Sequence, residues 1–276
     1  MLSSTNVITP KGYDLFRAYL EEACGILLSD NKHYLVASRL GKLFEREKIS
    51  KLEDLVVLLN KNKVSSLKEE VINAMTTNET LWFRDTHPFN ILKNKILPEK
   101  GKSPLRIWSA AASTGQEGYS ISMILEEFRA GSSSAFSRGD KIVATDICTN
   151  ILAHAKQAEY DHLAIARGLT DNMQKRYFDK LESGAWKVKS HIKDRVDFKY
   201  LNLIDSYAGL GKFDIIFCRN VLIYFSAELK LDILSRMHKA LNPGGYLFLG
   251  GSEALSGMTS MYEIVQCHPG IVYKAK

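Results

Sequence analysis

Apolar residues recur three and four apart from Tyr13 to Met75, and beyond Thr76 they gather instead into short runs separated by glycine turns and helical stretches. The first pattern is Tyr13, Phe16 and Leu20, then Leu35, Leu40, Leu43 and Phe44, then Leu55, Leu58 and Leu59, then Leu67, Val71 and Met75. That spacing puts one apolar stripe on each of four short helices. Gly25, the Ser29-Asp30 pair and Lys61 to Ser66 supply the breaks, and Ser or Asp at that pair suits the cap of the second helix. The second pattern predicts strands at Leu105–Ser109, Ile142–Thr145, Phe213–Cys218 and Tyr246–Gly250, with helices between them. Alternation of that kind specifies an α/β doubly wound sheet.

Ser226 is placed to cap a helix running to Leu241, and Pro243-Gly244-Gly245 forbids its continuation and turns the chain into the next strand. Tyr262–Cys267 and Ile271–Lys274 flank His268-Pro269-Gly270, the pattern of a terminal antiparallel hairpin. Trp186, Val188, Val196, Phe198 and Tyr200 step by two where a crossover helix belongs, so residues from about 179 to 201 are expected to form a small inserted antiparallel β-subdomain. Gly131 to Gly139 reads as a flexible Ser/Gly loop. The resulting division is a basic helical domain over 1–75, a linker over 76–88 and a catalytic domain over 89–276.

With 276 residues and 45% hydrophobic content, two modest domains can each bury a core. The net charge of +6 is spread along the chain and suits an acidic partner without requiring one. Cys24, Cys148, Cys218 and Cys267 lie far apart with no CxxC pair, and no histidine pair has ligand spacing, so neither a metal site nor a disulfide framework is expected. Met1 to Asn6 carries no secretory pattern and no apolar run approaches the roughly 20 residues that span a bilayer. A cytoplasmic location is expected.

In an open parallel sheet, ligands sit at the carboxyl ends of the strands where the winding reverses. After the first strand, Ser109 to Glu117 begins with small residues that let a ligand approach the backbone before a helix N-terminus. Asp146 ends the second strand, where an acidic side chain accepts hydrogen bonds from ribose hydroxyls; as a helix cap it would serve equally well. The phosphate loop of nucleotide triphosphatases and the GxGxxG of dinucleotide folds are both missing, so a nucleoside without pyrophosphate, foremost S-adenosylmethionine, fits better.

Thr76-Thr-Asn-Glu-Thr-Leu-Trp-Phe-Arg84, Trp108 to Glu117, Ala144-Thr-Asp-Ile147, Asn202-Leu203 and Phe217-Cys-Arg-Asn-Val-Leu-Ile-Tyr-Phe225 follow one another in the order of known signatures. Over nearly its full length the chain resembles the chemotaxis receptor methyltransferases, the CheR family. The resemblance implies a class I, Rossmann-like methyltransferase fold behind an all-α front domain. It also implies cofactor contacts from Asn78, Thr80, Arg84, Glu117, Asp146, Asn202, Leu203, Arg219 and Asn220, with Arg84 and Tyr224 aligning the reacting groups.

The family's substrate is a glutamate on the cytoplasmic helical bundle of a chemoreceptor, converted to a methyl ester. A glutamate with pKa near ~4.3 is already ionised at neutral pH, so no general base is needed and positioning supplies most of the rate. In the family the basic front domain meets the acidic receptor helices, which here points to Lys32, Arg39, Lys42 and Arg46, recruitment to receptor arrays, and no nucleic-acid partner. Reversing Arg39 and Arg46 is then expected to weaken receptor methylation and spare cofactor affinity. Two rival readings are a nucleic-acid methyltransferase, against which Arg219-Asn220 stands where a base-flipping Asn-Pro-Pro-Tyr would be, and a cofactor-binding signalling module without catalysis. Gly118 stands where many relatives carry proline, and the insertion is a few residues shorter than in relatives that grip a receptor's C-terminal pentapeptide.

Overall fold

The computed structural model describes residues 8–61, 66–131, 139–255 and 257–276, so the core of the expected loop between Gly131 and Gly139 lies outside the described residues. The front domain is four helices, α1 (Pro10–Cys24), α2 (His33–Glu47), α3 (Leu52–Lys61) and α4 (Ser66–Met75). Their apolar stripes, among them Tyr13, Phe16, Leu20, Leu40, Leu52, Leu55 and Val71, close on one core. Thr9 caps α1 by accepting from the Gly12 N–H at 2.9 Å, and Pro10 occupies the first turn, where its missing N–H costs nothing. Gly25 ends α1 at φ 77°; a Cβ there would stand 2.5 Å from Leu229 Cδ2, so the glycine lets α1 seat against the α/β part of the chain. The expected Ser/Asp cap of α2 is not formed. Lys32 precedes α2 with no side-chain cap, because Asp30 pairs with Arg17 and the Ser29 hydroxyl with Asn31.

The α/β part of the chain opens with α5 (His87–Ile91), which runs through one π-helical turn (Leu92–Ile96) into α6 (Leu97–Lys100). There follow β1 (Arg106–Ala110), α7 (Gln116–Ala130), β2 (Lys141–Asp146) and α8 (Thr149–Gln157). Next come β3 (Glu159–Tyr160), α9 (His162–Ala166), α10 (Asp171–Tyr177), β4 (Phe178–Lys180), β5 (Trp186–Val188) and α11 (Ser190–Lys193). The chain finishes with β6 (Val196–Tyr200), β7 (Phe213–Cys218), α12 (Ala227–Ala240), β8 (Leu241–Leu249), β9 (Tyr262–Cys267) and β10 (Gly270–Ala275). Ser226 caps α12 as expected, accepting from Leu229 N–H at 3.2 Å.

Seven strands form one sheet in the order β6-β2-β1-β7-β8-β10-β9. The first five are parallel, and β10 runs antiparallel to both β8 and β9. This is the doubly wound fold with a terminal hairpin. The winding reverses between β1 and β7, where Ala110 lies level with Cys218. Two local readings change. Val196–Tyr200 is not an arm of the inserted sheet: as β6 it pairs in parallel with β2 at the edge of the main sheet, while the separate antiparallel sheet is β3-β5-β4. Pro243-Gly244-Gly245 lies within β8, whose pairing with β7 begins at Leu241 opposite Phe213 and is irregular before Tyr246 resumes it.

The linker between the domains is strapped to the small sheet. Trp82, fully buried, meets the rings of Tyr160 and Phe178 edge-on at 4.9 and 5.1 Å. Gly168, at φ 109°, passes so close that a Cβ would lie 2.2 Å from the Trp82 carbonyl oxygen. No described helix is long and apolar enough to cross a membrane.

Candidate active site

Four strand tips converge at the winding reversal. After β1 the chain makes a tight path through Ala111 (φ 56°) and Ser113 (φ 50°) into α7, and after β7 Asn220 stands at φ 59°. The linker adds Phe83, Asp85 and Thr86, also in the left-handed region. Six of the eight described non-glycine residues with positive φ therefore flank this one place. Each costs on the order of 1–3 kcal/mol and persists only where its surroundings over-determine it.

Carboxylates hold these turns. Asp146, at the end of β2, accepts the Ser113 N–H at 2.8 Å and the Cys148 N–H at 2.9 Å, and burial pushes its carboxyl upward against the pull of those backbone donors. Glu117, in the first turn of α7, accepts the Ser109 hydroxyl at 2.8 Å through one oxygen and Arg219 Nη1 at 2.9 Å through the other. Arg219 reaches Asp85 at 2.7 Å and the Arg84 carbonyl at 2.8 Å with its other terminal nitrogen, and its guanidinium lies over the Phe89 ring. Its side chain is 1% exposed, yet its Nε has no protein partner.

All ten residues expected at the site, Asn78, Thr80, Arg84, Glu117, Asp146, Asn202, Leu203, Arg219, Asn220 and Tyr224, line one cavity of about 990 Å³, open mouth included. Ala111, Ala112 and Ser113 form its floor beside the start of α7, and Cys24 and Ile26 of the front domain complete its wall. Asn202 donates to the Ala23 carbonyl at 2.9 Å, so part of its amide already serves the domain junction. Leu27 N–H likewise donates to the Tyr224 carbonyl at 2.8 Å.

Several residues that organise the cavity have no mark in the sequence reading. Glu253, three residues past Gly250, accepts from the N–H groups of Asn220 (2.8 Å), Leu222 (2.8 Å) and Gly250 (2.7 Å), gathering the whole Arg219–Leu222 turn. A carboxylate just beyond the carboxyl end of a central strand was the available signal. Asp85 and Ser109 hold Arg219 and Glu117 in the same indirect way.

Residues 78–271 match a family described as CheR methyltransferase, SAM binding domain, and residues 11–76 match its all-alpha domain. The chain belongs to the CheR methyltransferase family. It is 56% identical over 268 residues to chemotaxis protein methyltransferase Cher2 of Pseudomonas putida, spanning 96% of this chain and 98% of that one. It is 55% identical over 268 residues to chemotaxis protein methyltransferase 1 of Pseudomonas aeruginosa, spanning 96% and 97%. With the chemotaxis protein methyltransferase of Escherichia coli the identity is 35% over 247 residues, spanning 88% and 84%.

A CheR-family methyltransferase draws its methyl group from S-adenosylmethionine, and the cavity fits that group. Asp146 presents a buried carboxylate able to accept further hydrogen bonds, and the unpartnered Nε of Arg219 is a donor awaiting an acceptor. Among the described residues of the wall the one thiol, Cys24, is pushed up to about 11 by burial and stays protonated, and none of them is a histidine.

The basic face of α2 is less uniform than its composition. Lys42 is exposed, and Lys32 lies against the Tyr34 ring. Arg46 forks onto Glu70 at 2.8 and 2.6 Å and also meets Glu47 at 2.9 Å. Arg39 turns inward.

Proposed function

We propose that the protein methylates glutamate side chains on the cytoplasmic helical bundle of chemoreceptors, giving methyl esters that serve chemotactic adaptation. The observation that carries this is that every base among the described residues of the cavity wall is already committed. An amine or hydroxyl nucleophile needs its proton removed, whereas a glutamate is ionised at neutral pH and attacks directly. Among the described residues of the wall, Glu117 is committed to Ser109 and Arg219, Glu79 to Arg167 and Asp146 to backbone donors, while Cys24 is protonated, which leaves no uncommitted base for the task.

Bound S-adenosylmethionine supplies a methyl on a positively charged sulfur. Around it Asp146 would serve the ribose, Asn202 and Leu203 the base, Asn78, Thr80 and Asn220 the walls, and Glu117, Arg84 and Arg219 the amino-acid end. Arg84, whose Nη1 donates to the Glu79 carbonyl at 2.8 Å, retains donors to orient an incoming carboxylate, and Tyr224, on the same cavity wall, would be the second aligning group. A carboxylate attacking a sulfonium methyl would cancel charge, and the wall that Cys24 and Ile26 build beside the strand tips would help to keep water from that pair.

On this reading residues 76–88 are a linker that carries site residues between the helical domain and the catalytic domain. The acidic receptor meets the basic face of α2 at Lys32 and Lys42, with Arg39 and Arg46 behind them, in the cytoplasm at receptor arrays. Labelled cofactor incubated with receptor-bearing membranes tests it. Alkali-labile label that disappears when receptor glutamates are changed to alanine is expected. Alkali-stable label, label on nucleic acid, or cofactor binding without transfer would each sink the proposal.

A further inference from the structure

Arg39 lies on the helix proposed to face the receptor, yet its guanidinium grips the rim of the cofactor cavity. Nη1 donates to the Met75 carbonyl at 2.6 Å and the Thr76 carbonyl at 2.9 Å, and Nη2 donates to the Thr77 hydroxyl at 2.9 Å. Met75, Thr76 and Thr77 all line the cavity. Met75 closes α4, so its carbonyl is one of the four that a helix end leaves without a partner, and a cation there also opposes the negative end of the helix dipole.

From Thr76 the contacts run on into the site. The Asn78 side chain donates to the Thr76 hydroxyl at 3.2 Å, and the Asn78 carbonyl accepts the Ser113 hydroxyl at 2.8 Å. The Ser113 N–H in turn holds Asp146. Lys42, one turn further along α2, is exposed, so two neighbouring basic residues face different tasks.

We propose that Arg39 is a positioning residue for S-adenosylmethionine: it fixes the end of α4 and the start of the linker, and so sets the placement of Thr76, Thr77 and Asn78 against Ser113 and Asp146. It acts through those residues and does not touch the reacting atoms. Reversal of Arg39 therefore disturbs cofactor binding as well as any surface charge, which departs from the expectation that reversing Arg39 spares cofactor affinity.

The test uses the full chain and the demethylated product, S-adenosylhomocysteine, by calorimetry. Arg39→Ala is expected to weaken binding roughly tenfold, the scale of one charge-assisted hydrogen bond. In methyl-transfer assays the KM for cofactor rises by a similar factor while kcat at saturating cofactor stays within about twofold. Arg39→Lys, whose ammonium can reach one of the two carbonyls, is expected to recover most of the loss. Lys42→Glu is expected to leave the product's dissociation constant unchanged. Wild-type affinity in Arg39→Ala would overturn the proposal, as would a loss of kcat with KM unchanged. Should Arg39→Ala not fold, Arg39→Lys carries the test, with a two- to threefold weakening expected and none overturning it. The binding arm needs no receptor, so its failure leaves the glutamate reading standing, and failure of the glutamate reading leaves this arm intact.

Discussion

Glu253→Gln changes neither the length nor the shape of the side chain, but it removes one acceptor from a carboxylate that serves three backbone donors. If the amide oxygen keeps Asn220 and Gly250, now bonded at 2.8 and 2.7 Å, the new NH₂ group faces the Leu222 N–H, donor against donor. One hydrogen bond to a charged group is lost, worth about 1.5–3 kcal/mol, and the other two weaken with the charge. Asn220 at φ 59° has reason to relax once released. Because Asn220, Val221 and Tyr224 line the cavity, molecules whose turn has relaxed do not bind, and apparent affinity falls by the competent fraction. A cost of roughly 2 kcal/mol corresponds to a ceiling of about 30-fold at 1.36 kcal/mol per decade. The assay is calorimetric titration with S-adenosylhomocysteine beside a thermal melt. A variant that binds within about twofold of the parent, while its melting temperature falls by several degrees, would refute the reasoning and make Glu253 a stabiliser of the fold alone.

Three further outcomes are expected. Burial raises Asp146, so its ionised, hydroxyl-accepting form is lost on acidification sooner than for an exposed aspartate. Cofactor affinity should fall as pH drops toward that raised value, whereas the unliganded protein is favoured by this group at low pH and loses that contribution as pH rises through it. Titrations across pH check the first effect, and Asp146→Asn should flatten the profile; a profile as steep as the parent's assigns it to another group. Arg219→Lys can serve only one of Glu117, Asp85 and the Arg84 carbonyl. Breaking a buried pair costs about 3–5 kcal/mol, and because Asp85 is 39% exposed the urea midpoint should report a smaller loss of roughly 2 kcal/mol; an unchanged midpoint would contradict the burial argument. Lys42→Glu should slow receptor methylation most at low salt and converge on the parent at high salt, read from initial rates across ionic strength.

The side chains proposed to meet a ligand were legible in the sequence and do line one cavity, whereas several that hold its backbone were not. Asp146 was placed by its position at a strand end, and the motif around Arg219 to Tyr224 by its order along the chain. β6 was misplaced because an edge strand has one solvated face, so Val196, Phe198 and Tyr200 alternate with polar residues just as an antiparallel arm does. Arg39 read as part of a receptor-facing basic helix because two of its three partners, Met75 and Thr76, offer carbonyl groups, which no residue pattern records.

The same blindness explains Glu253 and gives the site its logic. Just past the tips of the adjacent strands β1 and β7 stands a left-handed residue, Ser113 or Asn220, and a carboxylate at or just beyond the end of the neighbouring strand, Asp146 or Glu253, takes its N–H at 2.8 Å. Asp146 therefore holds the floor of the cavity as well as serving the proposed ribose. A substitution that removes it releases Ser113 at the same time, so the affinity lost in Asp146→Asn overstates the ribose contact by whatever the floor contributes. Ser113→Ala leaves the N–H that Asp146 accepts in place and removes only the hydroxyl bond to Asn78, so its cost reports the floor's link to Asn78 and leaves the Asp146 contacts untouched.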